Sequence, residues 1–223
     1  MTPNKKQKKG NSWLEKKQKS RDLKRNVAGV MILGVIILVA AVAYSNSSKN
    51  STSKPDSSRF PYAVAKPASG TIAPDFSLPS TKGGTVKLSD YKGKAVLLFF
   101  HEGIGCQPCW DQIRDLERNQ SQLKSAGVDQ LLTITSGPTR LIRQKMADDG
   151  LNAVALGDTN LEISKLYNAN QFGMMGGSRD GHTFILIGSD GKIDWRADYG
   201  GPPKYTMYVP IAQLLQDMKS GQA

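Results

Sequence analysis

Residues 27–44 read VAGVMILGVIILVAAVAY, eighteen residues without a charge. As a helix at 1.5 Å per residue the run is roughly 27 Å long, close to the ~30 Å hydrocarbon core of a bilayer. It is apolar on every face and is flanked by polar, low-complexity sequence, so it has no protein core to enter. A single membrane-spanning helix is the expectation. Ten Lys and Arg precede it, against Glu15 and Asp22, and only Lys49, Lys54 and Arg59 follow closely. That asymmetry predicts an N-terminus on the cytoplasmic side and an exported remainder. The small residues Ala41-Val42-Ala43 admit a cleaved signal peptide as an alternative, which exports the same domain.

The chain thus divides into a basic tail at 1–26, a transmembrane helix at 27–44, a linker at 45–70 and a folded domain at 71–223. The linker has eight Ser and three Pro. As a flexible chain it reaches about 28 Å from end to end. The net charge of +11 suggests nucleic acid at first sight. Residues 71–223, however, hold sixteen basic and sixteen acidic side chains, so the folded part carries no excess. A nucleic-acid partner is therefore not expected.

Within the domain, strand and helix signals alternate, which predicts an α/β layer. A hairpin is expected from residues 76–78 and 85–88. Residues 95–101 (AVLLFFH) form an uninterrupted apolar run, as a central strand buried on both faces requires. A helix is predicted from Cys106 through Leu123 to a stop at Gly127. Strands at 130–135 and 153–156, helices at 139–149 (capped by Thr139) and 161–167, a hairpin from 183–187 and 192–197, and a helix at 211–218 complete the pattern.

Cys106 and Cys109 are the only cysteines, spaced Cys-Gln-Pro-Cys. They follow a buried strand by a short loop and open a helix. Unpaired N–H groups and the dipole at a helix start stabilise a thiolate and lower its pKa. Pro108 is tolerated in a first turn, where the N–H has no intrahelical partner. Cys106 is expected to be the exposed nucleophile and Cys109 the resolving thiol. A purely structural disulfide is the alternative, but so short a loop constrains the unfolded chain little.

The segments Ala73-Pro74-Asp75-Phe76-Ser77-Leu78 and Val86-Lys87-Leu88-Ser89-Asp90-Tyr91, with the strand that follows, resemble the opening of the redoxin families. Thr183-Phe184-Ile185-Leu186-Ile187 and Asp190-Gly191-Lys192-Ile193 resemble their last hairpin. These families include the alkyl-hydroperoxide-reductase/thiol-specific-antioxidant (AhpC/TSA) peroxiredoxins and the membrane-anchored thiol–disulfide oxidoreductases. The resemblance implies a thioredoxin-like fold, a mixed central sheet flanked by helices. It also implies redox chemistry without a cofactor, acting on protein thiols and disulfides or on peroxide outside the cytoplasm, with a redox partner.

Two departures separate this chain from its models. Peroxiredoxins carry Thr or Ser three residues before the peroxidatic cysteine, where Cys106 has Gly103. The disulfide oxidoreductases carry a cis-Pro before the last hairpin, where this chain has Gly181-His182. The resemblance further places His101 and His182 beside the cysteine pair. There they could tune the thiolate, relay protons or, with both cysteines and near Met174 and Met175, bind Cu(I); plain loop histidines are the alternative. Arg179 is a candidate for positioning an anion or peroxide. The aromatic stretch 195–208 either walls a substrate groove or packs a loop. The reading favoured by these features is a membrane-anchored extracytoplasmic thiol–disulfide oxidoreductase. A thiol peroxidase and, further off, a copper chaperone are the alternatives.

Overall fold

Strand β3 (Val96–His101) is buried at every residue. It can be, because it lies in the middle of a five-stranded sheet, with two strands on either side. The computed structural model describes residues 60–222; the tail at 1–26, the apolar run at 27–44 and residues 45–59 lie outside the described residues. Among the described residues no helix is long and apolar enough to cross a membrane.

Strands β4 (Gln130–Thr135) and β5 (Val154–Gly157) run parallel to β3, while β6 (Thr183–Ile187) and β7 (Ile193–Asp198) form the antiparallel side. A separate hairpin pairs β1 (Ser77–Pro79) with β2 (Thr85–Lys87). Successive side chains of β3 take opposite faces. Leu97 and Phe99 join the cluster built on α1 (Gln107–Arg118), and Val96, Leu98 and Phe100 join the one holding Tyr167 and the hairpin residues. This is the mixed, helix-flanked sheet of the thioredoxin-like fold.

The predicted long helix after Cys106 is two helices. Helix α1 ends at Asn119, whose side-chain amide and backbone N–H both bond the carbonyl of Asp115, and α2 (Gln120–Ser125) starts beyond it. Asn caps its own turn readily, so the periodic apolar pattern continues through a break in the backbone. The remaining helices are α3 (Thr139–Asp148), α4 (Glu162–Leu166) and α5 (Ile211–Gly221). Pro138, not Thr139, is the N-cap of α3, and no side chain caps it.

Residues 60–70, assigned above to the linker by composition, lie on the domain. Ala63 and Asp198 exchange backbone hydrogen bonds at 3.0 and 2.9 Å, and the N–H of Gly70 reaches the carbonyl of Ile193. The cause is local: the Ser-rich sequence stops before Phe60, and Tyr62 makes edge contacts with Trp195 and Tyr199. This strap covers edge strand β7, a standard protection against unwanted pairing. Beneath it, the fully buried Arg196–Asp198 ion pair (2.8 Å) is completed by the Thr183 hydroxyl, the Ala65 N–H and the Pro67 carbonyl. Buried charges need such complete pairing.

Candidate active site

The sheet ends where β3, β4 and β5 stop and β6 begins, and the candidate site residues gather at that end. Cys106 is the N-cap of α1, and it is joined to Cys109 by a disulfide. The N–H of Cys109 bonds Cys106 Sγ at 3.3 Å, so the helix start directs a backbone donor at this sulfur. Cys106 keeps 8% of its surface exposed, whereas Cys109 keeps none. Pro108 sits in the first turn, as the sequence required. Met207, from the aromatic stretch, packs on the disulfide, while Trp195 and Tyr199 of the same stretch go into the core. The segment therefore packs on the core and on the disulfide.

The turn from β3 into α1 is fixed at its first three carbonyls. The Thr135 hydroxyl donates to the carbonyl of His101 at 2.8 Å, and Arg179 Nη1 to that of Glu102 at 3.3 Å. The carbonyl of Gly103 accepts both the Cys106 N–H (3.0 Å) and Trp110 Nε1 (3.1 Å). Gly103 has φ of 89°, and a Cβ there would lie 2.7 Å from Thr135 Oγ1. A side chain at this position is thus excluded twice, by backbone conformation and by the Thr135 hydroxyl. The missing peroxide-orienting hydroxyl has a steric reason. Thr135 does not replace it, being buried and committed to the His101 carbonyl.

His101 and His182 are not loop residues open to solvent; both are fully buried. His101 stacks on Phe99 (5.3 Å, 22°) and meets Trp110 edge-on, and His182 meets Phe99 and Phe184 edge-on. Burial lowers both pKa values to about 3, with His101 adding to the effect on His182. At neutral pH both rings are uncharged, so neither supplies a cation to hold a Cys106 thiolate. His101 Nδ1 accepts the N–H of Gly103 at 3.4 Å, while its Nε2 and both nitrogens of His182 find no hydrogen-bond partner among the described residues. The Cys₂His₂ metal set is not assembled: among the described residues no group of three or more His, Cys, Asp or Glu converges to hold an ion. Met174 and Met175 are exposed on a loop before β6.

Three of the four backbone groups at Gly181-His182 are already bonded within the domain. Gly181 N–H bonds the Ala169 carbonyl, His182 N–H that of Phe172, and the His182 carbonyl accepts from Tyr199 and Gly200. Two further features escaped the sequence reading. Glu102, 7% exposed, accepts the backbone N–H of Met174 and Met175. Asp180 is fully buried beside Ser164, with no donor at bonding geometry, and burial followed by the nearby Asp158 carboxylate pushes its pKa up to about 8. An acidic residue between an apolar strand and a cysteine was the available signal for Glu102; nothing local marks Asp180.

Residues 69–196 match the model of the AhpC/TSA family. The chain belongs to that family. Among its AhpC/TSA-type relatives is peroxiredoxin Bcp of Escherichia coli (strain K12), 35% identical over 128 residues, covering 56% of this chain and 81% of Bcp. A second is the thiol-disulfide oxidoreductase ResA of Geobacillus kaustophilus (strain HTA426), 30% identical over 160 residues, covering 71% and 80% of the two chains. The crystal structure of peroxidoxin BcpB from Mycobacterium tuberculosis superimposes with a TM-score of 0.56 at 17% identity, covering 69% of this chain and 97% of BcpB, and shows the common fold. As a redoxin of the AhpC/TSA family, the protein is an oxidoreductase of thiol chemistry, and its relatives include peroxiredoxins and thiol-disulfide oxidoreductases.

Proposed function

We propose that the protein is a membrane-anchored, extracytoplasmic thiol–disulfide oxidoreductase whose working group is the Cys106–Cys109 pair. The observation that carries this is the placement of the pair: a disulfide at a helix N-terminus, with Cys106 keeping 8% of its surface exposed and Cys109 none. In the reduced state the Cys106 thiolate attacks a partner disulfide. One partner sulfur leaves as a thiolate, and Cys106 is joined to the other. The Cys109 thiolate then attacks Cys106, forming the intramolecular disulfide and releasing the second partner thiolate. The partner gains two electrons, and the protons of the two cysteines go to its two thiols. Reversal of the same steps oxidises a partner dithiol.

Peroxide reduction is the second reading, supported by the resemblance to Bcp and by the Arg179 guanidinium near the Gly103 turn. The first is favoured because cleaving an O–O bond needs donors aimed at the departing oxygen. Gly103 has no hydroxyl to offer, and Thr135 blocks the addition of one. The second-order rate constant of the reduced protein with a small disulfide is expected to exceed that with hydrogen peroxide at one pH. A peroxide constant orders of magnitude above that of an ordinary thiolate, and above the disulfide constant, establishes the peroxidase instead.

The anchor rests on the uncharged run at 27–44 and the charge asymmetry around it. Protease added to intact cells is expected to remove the domain. Complete protection until the membrane is disrupted rejects this topology.

A further inference from the structure

Glu102 leaves β3 between His101 and Gly103 and makes contacts that the exchange chemistry does not use. Its Oε1 accepts the N–H of Met174 and, at 3.2 Å, that of Met175, while its own carbonyl accepts Arg179 Nη1 at 3.3 Å. One residue thereby holds both ends of the segment 174–179. The neck of this loop is closed by the bond from His182 N–H to the Phe172 carbonyl. Both sides of the neck are glycine for lack of space: a Cβ on Gly173 would lie 2.7 Å from Glu102 Oε1, and one on Gly181 would lie 2.2 Å from the Phe172 carbonyl oxygen.

What the loop carries gives the latch its meaning. Arg179 Nη1 stands 3.9 Å from the place a Gly103 Cβ would take, and the Gly103 carbonyl is the one that accepts the Cys106 N–H. A guanidinium is thus held at the turn that leads into Cys106. It remains partly open to solvent, as do Met174 and Met175 at 65% and 55% exposure. A fixed cation beside a reacting sulfur favours the approach of an anion, and the favour is lost if the cation swings free.

We propose that Glu102 is a positioning residue that latches the 174–179 loop so that Arg179 faces the entry to Cys106, giving the dithiol a preference for substrates with an anionic group beside the disulfide. This rests on the disulfide-exchange reading. Glu102 itself is negative and opposes the preference, so the informative comparison is between Glu102→Gln and Glu102→Ala. Both remove the charge, but only the amide retains an acceptor oxygen for the two N–H groups.

The test uses the reduced full-length protein in detergent and two small probes, dianionic dithiodiglycolate and neutral hydroxyethyl disulfide, at one pH and low salt. The ratio of the two rate constants is expected to be at least about threefold lower in Glu102→Ala than in Glu102→Gln. Arg179→Gln is expected to lose the preference as well, while keeping slow amide exchange at Met174 and Met175. Those amides are expected to be slow in the wild type and in Glu102→Gln and fast in Glu102→Ala. Equal ratios in the two Glu102 variants, or an undiminished preference in Arg179→Gln, overturn the specificity role. Fast exchange at Met174 and Met175 in the wild type overturns the latch, whether or not Glu102→Ala folds. A wild type that reacts with neither probe overturns the exchange chemistry and the preference with it, and the amides then judge the latch alone.

Discussion

Replacing Cys106 with serine is expected to abolish disulfide exchange, by roughly a thousandfold or more, because a serine hydroxyl carries almost no anion at neutral pH. Replacing Cys109 with serine has a different expected outcome. Attack by Cys106 persists, but the mixed disulfide has no thiol behind it and accumulates as a covalent adduct visible by mass. The asymmetry follows from geometry. Cys106 is the helix cap, exposed at 8%, with the Cys109 N–H directed at its sulfur, and Cys109 is covered completely. An adduct that accumulates on Cys109 in Cys106→Ser, with none on Cys106 in Cys109→Ser, reverses the assignment. Rapid alkylation of Cys106 ahead of Cys109 in the reduced wild type is the companion measurement.

Stability is expected to peak close to pH 6.5 and fall on both sides, from three buried groups. His101 and His182 have folded pKa values near 3 against 6.5 for a free histidine. The unfolded chain therefore binds their protons first, and stability is lost as pH falls from about 6.5 toward 3. Each contributes about 1.4 kcal/mol per pH unit once the unfolded histidine is fully charged. Asp180 works in the opposite sense. Its folded pKa of about 8 lies above the ordinary 3.8, so its contribution is complete below 3.8 and is lost as pH rises toward 8. At pH 6.5 the two histidines, each half-protonated in the unfolded chain, balance the single aspartate, which sets the crest. Urea unfolding at pH 5, 6.5 and 8 measures the profile. Asp180→Asn is expected to remove the alkaline decline, and His182→Asn to reduce the acid slope by about 1.4 kcal/mol per pH unit. An alkaline decline that survives Asp180→Asn, or an acid slope unchanged in His182→Asn, contradicts the burial of these groups in uncharged form.

Neither prediction was available at the same depth from the residues alone. The cysteine pair was legible because everything it needs is local: an apolar run that must be a central strand, a short turn, and a helix start that accepts Pro108 and favours a thiolate. The strand pattern and hairpins were legible for the same reason, since side-chain alternation and turn chemistry act over a few residues. The break at Asn119 leaves no mark in the sequence because a continuous apolar stripe outlasts a small change in backbone path, and Thr139 is the better capping side chain although the helix is entered one residue earlier, at Pro138. Residues 60–70 read as linker because they continue a Ser- and Pro-rich stretch, and the two aromatic side chains that fasten them, Phe60 and Tyr62, are too few to outweigh its composition.

Sequence by itself determined the family, the order of the strands, the place of the cysteine pair at a helix start, and the concentration of the basic excess and the uncharged run ahead of residue 71. Only the tertiary structure decided the state of the groups around the pair. His101 and His182 read as polar residues until the closure of β3 and β6 against α1 buries them among Phe99, Trp110 and Phe184. Glu102 meets Met174 across 72 positions of chain, and Arg179 reaches back across 77. Asp180 is brought against Asp158 by the meeting of two loops at the end of the sheet. A side chain's charge depends on what surrounds it, and those surroundings are made by contacts between distant segments, which no local pattern encodes.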